Sequence, residues 1–150
     1  EVASEALSVN YDQNQVVIRF SEEATFRSGE AAIKPEMIPI IERVVNVLSA
    51  CTGDVLVSGY TDDRPISSDR YRSNWDLSAA RAVSVVHELV MNRQVPAERV
   101  VAAGRAETNP LAPNDTPENR ALNRRVEIAI RNPECSDEVP TGDLPVEIMP

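Results

Sequence analysis

The sequence predicts an α/β sandwich, a mixed sheet with two main helices on one face. Two observations predict it. Short apolar runs alternate with two longer segments of helical periodicity, in the order hairpin, helix, strand, helix, strand, short helix, strand. The 150 residues are 42% hydrophobic but only 4% aromatic, so Val, Ile, Leu and Ala must build the core. That length suits one domain with a real core.

Leu7–Tyr11 and Gln15–Phe20 flank the polar turn Asp12-Gln13-Asn14, a hairpin pattern in which Val16, Ile18 and Phe20 share a face. Residues 21–33, "SEEATFRSGEAAI", read as a loop broken at Ser28-Gly29. A helix starts near Lys34-Pro35, and Met37, Ile41, Val44, Val45 and Leu48 recur at helical spacing. Pro39 is tolerable there only within the first turn. Asp54–Tyr60 is a short apolar run that suits a buried strand.

Ser73 and Asp76 resemble a capping box that opens the second helix. Trp75, Ala79, Ala82, Val83, Val86, Leu89 and Val90 form its predicted apolar stripe. Arg99–Gly104 is a third strand, Pro117–Leu122 a short helical turn and Val126–Ile130 a last strand. This divides the chain into a lead-in at 1–15, a body at 16–131 and an acidic, proline-rich tail at 132–150. The tail shows little periodicity and is expected to be disordered or loosely attached.

Charge and composition exclude several classes. The net charge is -9, and all 15 basic side chains lie in residues 1–131, opposite to the balance of a phosphate-tracking nucleic-acid binder. Two cysteines, Cys51 and Cys135, without a CxxC exclude a multi-thiolate zinc site and leave a disulfide open. His87, the one histidine, lies off the apolar stripe and reads as solvated. There is no HExxH, GxSxG or P-loop, so no catalytic role, metal or cofactor is expected, and a hydrolase is disfavoured. No apolar run approaches the roughly 18 residues that span a bilayer. The chain begins at Glu1, and is expected to be processed or part of something larger.

One constellation could carry ligand chemistry. Gly59-Tyr60-Thr61-Asp62 closes a strand, and Arg81 follows on the next helix, pointing away from the predicted stripe. An Asp and an Arg held together can grip a zwitterion, the acid taking an ammonium and the guanidinium a carboxylate. A plain Asp62–Arg81 or Arg81–Glu88 surface pair is the alternative, worth about 0–1 kcal/mol.

"GYTDD", "SNWDLSAARAVSVVHELV" and "RVVAAGRAETNPLAPNDTPENRALNRRVEIAI" together resemble the OmpA-like peptidoglycan-binding domain from about Val16 to Ile130. The resemblance implies βαβαβαβ order and a ligand, the free amino-acid end of diaminopimelate in the wall's stem peptide. The family's aspartate and arginine correspond to Asp62 and Arg81. Thr61, Asn74 and Leu77 match positions around the pocket, and Asn123, Arg124, Arg125 and Asn114 match positions beside it. For these last four, turn-forming and ion-pairing roles stand as alternatives.

The long segment between Asp62 and Arg81 is similar to that of the flagellar stator group, MotB and PomB. Two departures stand out: Tyr60 where that group commonly has histidine, and Ala106 in place of the second glycine of Gly-x-Gly-Glu. The stator resemblance implies a periplasmic domain of an inner-membrane protein, a homodimer with a MotA-type channel partner reached through a missing N-terminal membrane segment. An OmpA- or Pal-type outer-membrane tether, or a secretion-system tether, is the alternative host.

Overall fold

The structure, a computed structural model, describes residues 7–12, 14–91, 94–134 and 147–149. The described strands form one mixed six-stranded sheet in the order β4-β3-β5-β2-β1-β6. The strands are β1 (Leu7–Asp12), β2 (Gln15–Ser21), β3 (Val55–Tyr60), β4 (Val100–Gly104), β5 (Arg125–Arg131) and β6 (Glu147–Met149). The helices are α1 (Glu22–Thr25), α2 (Ile38–Ser49), α3 (Asn74–Val90) and α4 (Pro117–Asn123).

Register explains how one sheet face becomes the core. Val9 pairs with Ile18, Ile18 with Ile128, and Ile128 with Val57. Directly paired residues point to the same side, so these four make one apolar row across β1, β2, β5 and β3. All four are buried, in one cluster with Ile41, Val44, Val45 and Leu48 of α2 and Ala82, Val85 and Leu89 of α3. The two long helices therefore cover one face of the sheet. Met37 completes the predicted α2 stripe from a single 3-10 turn, Pro35–Met37, and Pro39 falls within the first turn of α2, where its missing N–H costs nothing.

Three expectations are corrected. First, the segment after Phe20 is not all loop: α1 forms at the end of β2, with Ser21 Oγ accepting from the Ala24 N–H, and a bridge joins Phe26 to Ile33. Second, Glu147–Met149 does not trail away. It adds β6 parallel to β1, while residues 135–146 lie outside the described residues. Cys51 is buried and disulfide-bonded; Cys135 also lies outside the described residues.

Third, α3 is rotated by about 100° from the predicted stripe, at 100° per residue. Its buried side is Asn74, Leu77, Ser78, Arg81, Ala82, Val85 and Leu89. Trp75 is 54% exposed and Val83 44%. The apolar count failed because the N-terminal half of α3 buries polar residues. Its cap is also shifted. Ser73 Oγ accepts from the Trp75 N–H, while the Asp76 carboxylate reaches back to the Arg72 N–H, one residue beyond the N-cap N–H that a capping box uses.

Gly59 sets how closely α3 approaches β3. A β-carbon there would collide with the Ser78 carbonyl oxygen. The glycine lets the helix press onto the strand just before Thr61 and Asp62.

Candidate functional site

The antiparallel pairings of β5 create the site. Arg125, the first residue of β5, pairs with Ser21 at the end of β2 and with Tyr60 at the end of β3. The next residue beyond each strand end is therefore gathered at one edge: Glu22 after β2, Thr61 and Asp62 after β3, and Arg124 before β5. The Glu22 N–H donates to the Arg124 carbonyl, which fixes two of them together.

Four charged side chains join there in a line. Arg81 Nη1 donates to Glu22 Oε2 at 2.8 Å, Arg124 Nε to Glu22 Oε1 at 2.7 Å, and Arg124 Nη1 to Asp62 Oδ2 at 2.7 Å. Each carboxylate oxygen of Glu22 thus takes a different guanidinium. Asp62 is connected to Arg81 through Arg124 and Glu22. The four formal charges cancel.

Arg81 is only 2% exposed. Its Nε donates to the Glu30 carbonyl, its Nη2 to the Arg27 carbonyl, and its guanidinium lies 4.8 Å from the centre of the Phe26 ring. It is a turned-in side chain that staples the 26–30 segment to α3, and the sequence-based picture of an Arg81–Glu88 surface pair falls. Arg124 is more open. Burial works against its charge, but its hydrogen bonds to Asp62 and Glu22 outweigh this and hold its pKa above the ordinary value.

A cavity of about 350 Å³ opens over this line of charge. Glu22, Asp62, Arg81 and Arg124 line it together with Thr61, Asn74 and Leu77. Thr61 and Asn74 act on the backbone of the aspartate loop. The Thr61 hydroxyl donates to the Asp62 carbonyl, and Asn74 Nδ2 donates to the Arg64 carbonyl at 2.9 Å. The Arg64 N–H in turn donates to Asp62 Oδ1 at 3.0 Å and orients the carboxylate. Leu77 packs with Tyr71 and Ala31 in a small apolar cluster that also holds Ile66, so the long 62–72 loop is built into the cavity wall.

Three expected site residues lie elsewhere. Asn123 is fully buried and spends both ends of its amide on the preceding loop. Its Oδ1 accepts from the Leu111 and Ala112 N–H groups, and its Nδ2 donates to the Ala112 carbonyl and to Asn114 Oδ1. Asn114 is therefore a loop-pinning partner. Arg125 points to the opposite side of β5 from Arg124. It donates to Glu127 Oε2 and stacks 3.9 Å from the centre of the Tyr60 ring. Sequence reasoning missed Glu22. Its signal is topological: once β2 pairs with β5, the residue after Ser21 must meet Arg124.

Comparison with known proteins now decides the family. The OmpA family profile matches residues 25–124, two thirds of the chain. The chain belongs to the OmpA family. Motility protein B of Bacillus subtilis (strain 168) is 36% identical over 116 residues, which is 77% of this chain and 44% of that protein. Peptidoglycan-binding protein ArfA of Mycobacterium bovis is 37% identical over 106 residues, covering 70% of this chain and 31% of that protein. The solved cell wall anchor of the T6SS from Pseudomonas aeruginosa superposes with a TM-score of 0.81 at 37% identity, covering 87% of this chain and 91% of that one. The chain thus spans less than half the length of these two curated relatives. The OmpA domain is a structural module and not an enzyme family. Among the described residues, no group of His, Cys, Asp and Glu could hold a metal ion, and no helix is long and apolar enough to cross a membrane.

Proposed function

We propose that this chain is a periplasmic anchoring module that grips peptidoglycan non-covalently, taking the free amino-acid end of diaminopimelate in the cavity between Asp62, Arg81 and Arg124. One observation carries the reading: the Asp62 carboxylate and two guanidiniums, tied into one network through Glu22, share the wall of a cavity of about 350 Å³. The Asp62 carboxylate offers an acceptor for an ammonium, and the guanidiniums offer planar donors for a carboxylate. Membership of the OmpA family supports this, as do relatives that include a peptidoglycan-binding protein and a cell wall anchor.

The host we favour is a flagellar stator unit. There a homodimer of this domain, paired with a MotA-type channel subunit through an N-terminal membrane segment, holds the motor against recoil. The similarity to motility protein B supports that host. A secretion-system tether is the second reading, favoured by the close superposition on the T6SS anchor. Co-sedimentation with purified peptidoglycan, with and without free diaminopimelate as competitor, tests the ligand. The module should pellet with the wall and be released by the competitor; failure to pellet would refute the reading. For the host, a motor-torque defect in a strain carrying Asp62→Ala supports the stator, and a secretion defect supports the tether.

A further inference from the structure

We infer that Glu22 sets the charge selectivity of the cavity: by neutralising the second guanidinium it makes the site prefer a net-neutral zwitterion to a bare carboxylate. The inference rests on the ligand reading above and extends it to a residue that reading does not use.

The argument starts from charge. Asp62 alone, facing Arg81 and Arg124, would leave a buried cluster of net charge +1. Such a cluster favours any anion. Glu22 cancels that excess from the cavity wall itself, between the two arginines. Both of its oxygens are occupied, one by Arg81 Nη1 at 2.8 Å and one by Arg124 Nε at 2.7 Å. It is buried, its N–H donates to the Arg124 carbonyl, and its carboxylate cannot turn away without breaking both ion pairs. A ligand with one positive and one negative group then enters a neutral site and leaves it neutral. A ligand bearing only a carboxylate adds an uncompensated charge beside buried Arg81, Glu22 and Asp62, and this is costly. Arg64 also borders the cavity, but its side chain is exposed and screened by water.

Glu22 is thus a positioning and charge-balancing residue, and it acts through the two arginines. A purely structural Glu22 would, when altered, weaken every ligand alike. A charge-balancing Glu22 changes the ratio between ligands. That ratio is the readout.

The experiment uses three probes on one skeleton: free diaminopimelate, its N,N′-diacetyl derivative with carboxylates only, and its diamide with ammoniums only. Affinities are measured by calorimetry on the intact protein and on Glu22→Gln. The unaltered protein should prefer the zwitterion. In Glu22→Gln the preference over the diacetyl form should fall by about tenfold or more, and the diamide should weaken further. Glu22→Asp, which keeps the charge, should keep the wild-type order.

Arg124→Gln and the Glu22→Gln, Arg124→Gln pair serve if Glu22→Gln does not fold. The single change leaves the cluster at -1 and should disfavour the diacetyl form relative to the diamide. The pair restores neutrality and should bring the ratio back to within about threefold of wild type. Unmoved ratios across these variants would overturn the role of Glu22 while leaving the ligand reading intact. A wild-type protein that binds none of the three probes would overturn both.

Discussion

Arg124 and Arg125 are neighbours in the chain and belong to two different machines. Each donates its Nε to a glutamate, Glu22 in one case and Glu127 in the other, and each glutamate is shared with a second arginine. The surroundings differ. The Glu127 network of Arg19 and Arg125 lies on the sheet face opposite the two long helices. The remaining Arg125 donors are spent on the Asn123 and Asn109 carbonyls, and Tyr60 covers the guanidinium. The Glu22 network lies under a cavity, and its outer member, Arg124, is 26% exposed at the side chain. The alternation of a strand separates one arginine from the other. Burial of a charged cluster is common to both networks; the Glu22 network also borders an opening.

The sharpest way to break this comparison is binding. Asp62→Ala should reduce pelleting with purified peptidoglycan at least about thirtyfold, because it removes the cavity carboxylate that is bonded to a single guanidinium, that of Arg124, and so has most acceptor capacity left for an ammonium. Its melting temperature should fall by only a few degrees, since Arg124 keeps Glu22 as a partner. Glu127→Gln should pellet as wild type. If the two variants bind alike, the distinction between the networks is wrong.

Stability should separate them less. Arg81→Ala should cost about 3–5 kcal/mol in urea denaturation, because it strips one partner from buried Glu22 and orphans the Arg27 and Glu30 carbonyls. Arg125→Ala should cost slightly less, about 2–4 kcal/mol, since Arg19 still holds Glu127. The contrast lies in binding: Arg125→Ala should keep it in whatever fraction remains folded. Arg81→Lys is the better probe of ligand contact, as it retains the charge but loses the planar fork.

How much of this was legible beforehand follows from where each signal lives. The α2 stripe was readable because every residue in it is apolar and all of it meets the core. The α3 stripe was not, because Asn74, Ser78 and Arg81 are buried in hydrogen bonds and hydrophobicity alone counts them as surface. Asp62, Arg81, Thr61, Asn74, Leu77 and Arg124 could be named through family resemblance, and the fold does bring them to one cavity. Asn123 and Arg125 could not be sorted from Arg124 without strand register and loop path. Glu22 was invisible because it is 102 residues from Arg124 in sequence.

A smaller effect concerns pH. Burial pushes the Glu127 carboxyl up, but hydrogen bonds from Arg19 and Arg125, with their charges, outweigh it and hold the pKa below its ordinary 4.5. A carboxylate with a lowered folded-state pKa contributes stability above the unfolded value and loses it as pH falls through the folded value. The Glu127 contribution should therefore be complete above about pH 4.5 and decline below it. Urea melts from pH 7 to pH 3 should show a shallower loss in Glu127→Gln. An unchanged slope would mean the ion pairs also form in the unfolded chain.

The smallest expected effect tests how the aspartate loop is seated. Ala106 has φ of 53°, in the left-handed region, and is fully buried. Its carbonyl accepts the Thr61 N–H at 2.8 Å, and its N–H donates to Ser78 Oγ at 3.1 Å. It stands where the family commonly has glycine, and it links α3 to the loop that carries Asp62. Holding alanine in this conformation costs about 1 kcal/mol. Ala106→Gly relieves that cost, but it also removes a buried methyl worth about 0.8 kcal/mol and frees the unfolded chain by a further 0.4–1 kcal/mol. The terms nearly cancel, so stability should shift by less than about 1 kcal/mol in either direction. Peptidoglycan binding should not change, because both backbone hydrogen bonds survive. A loss of binding at unchanged stability would show that the methyl group, and not the backbone, seats Thr61 and Asp62.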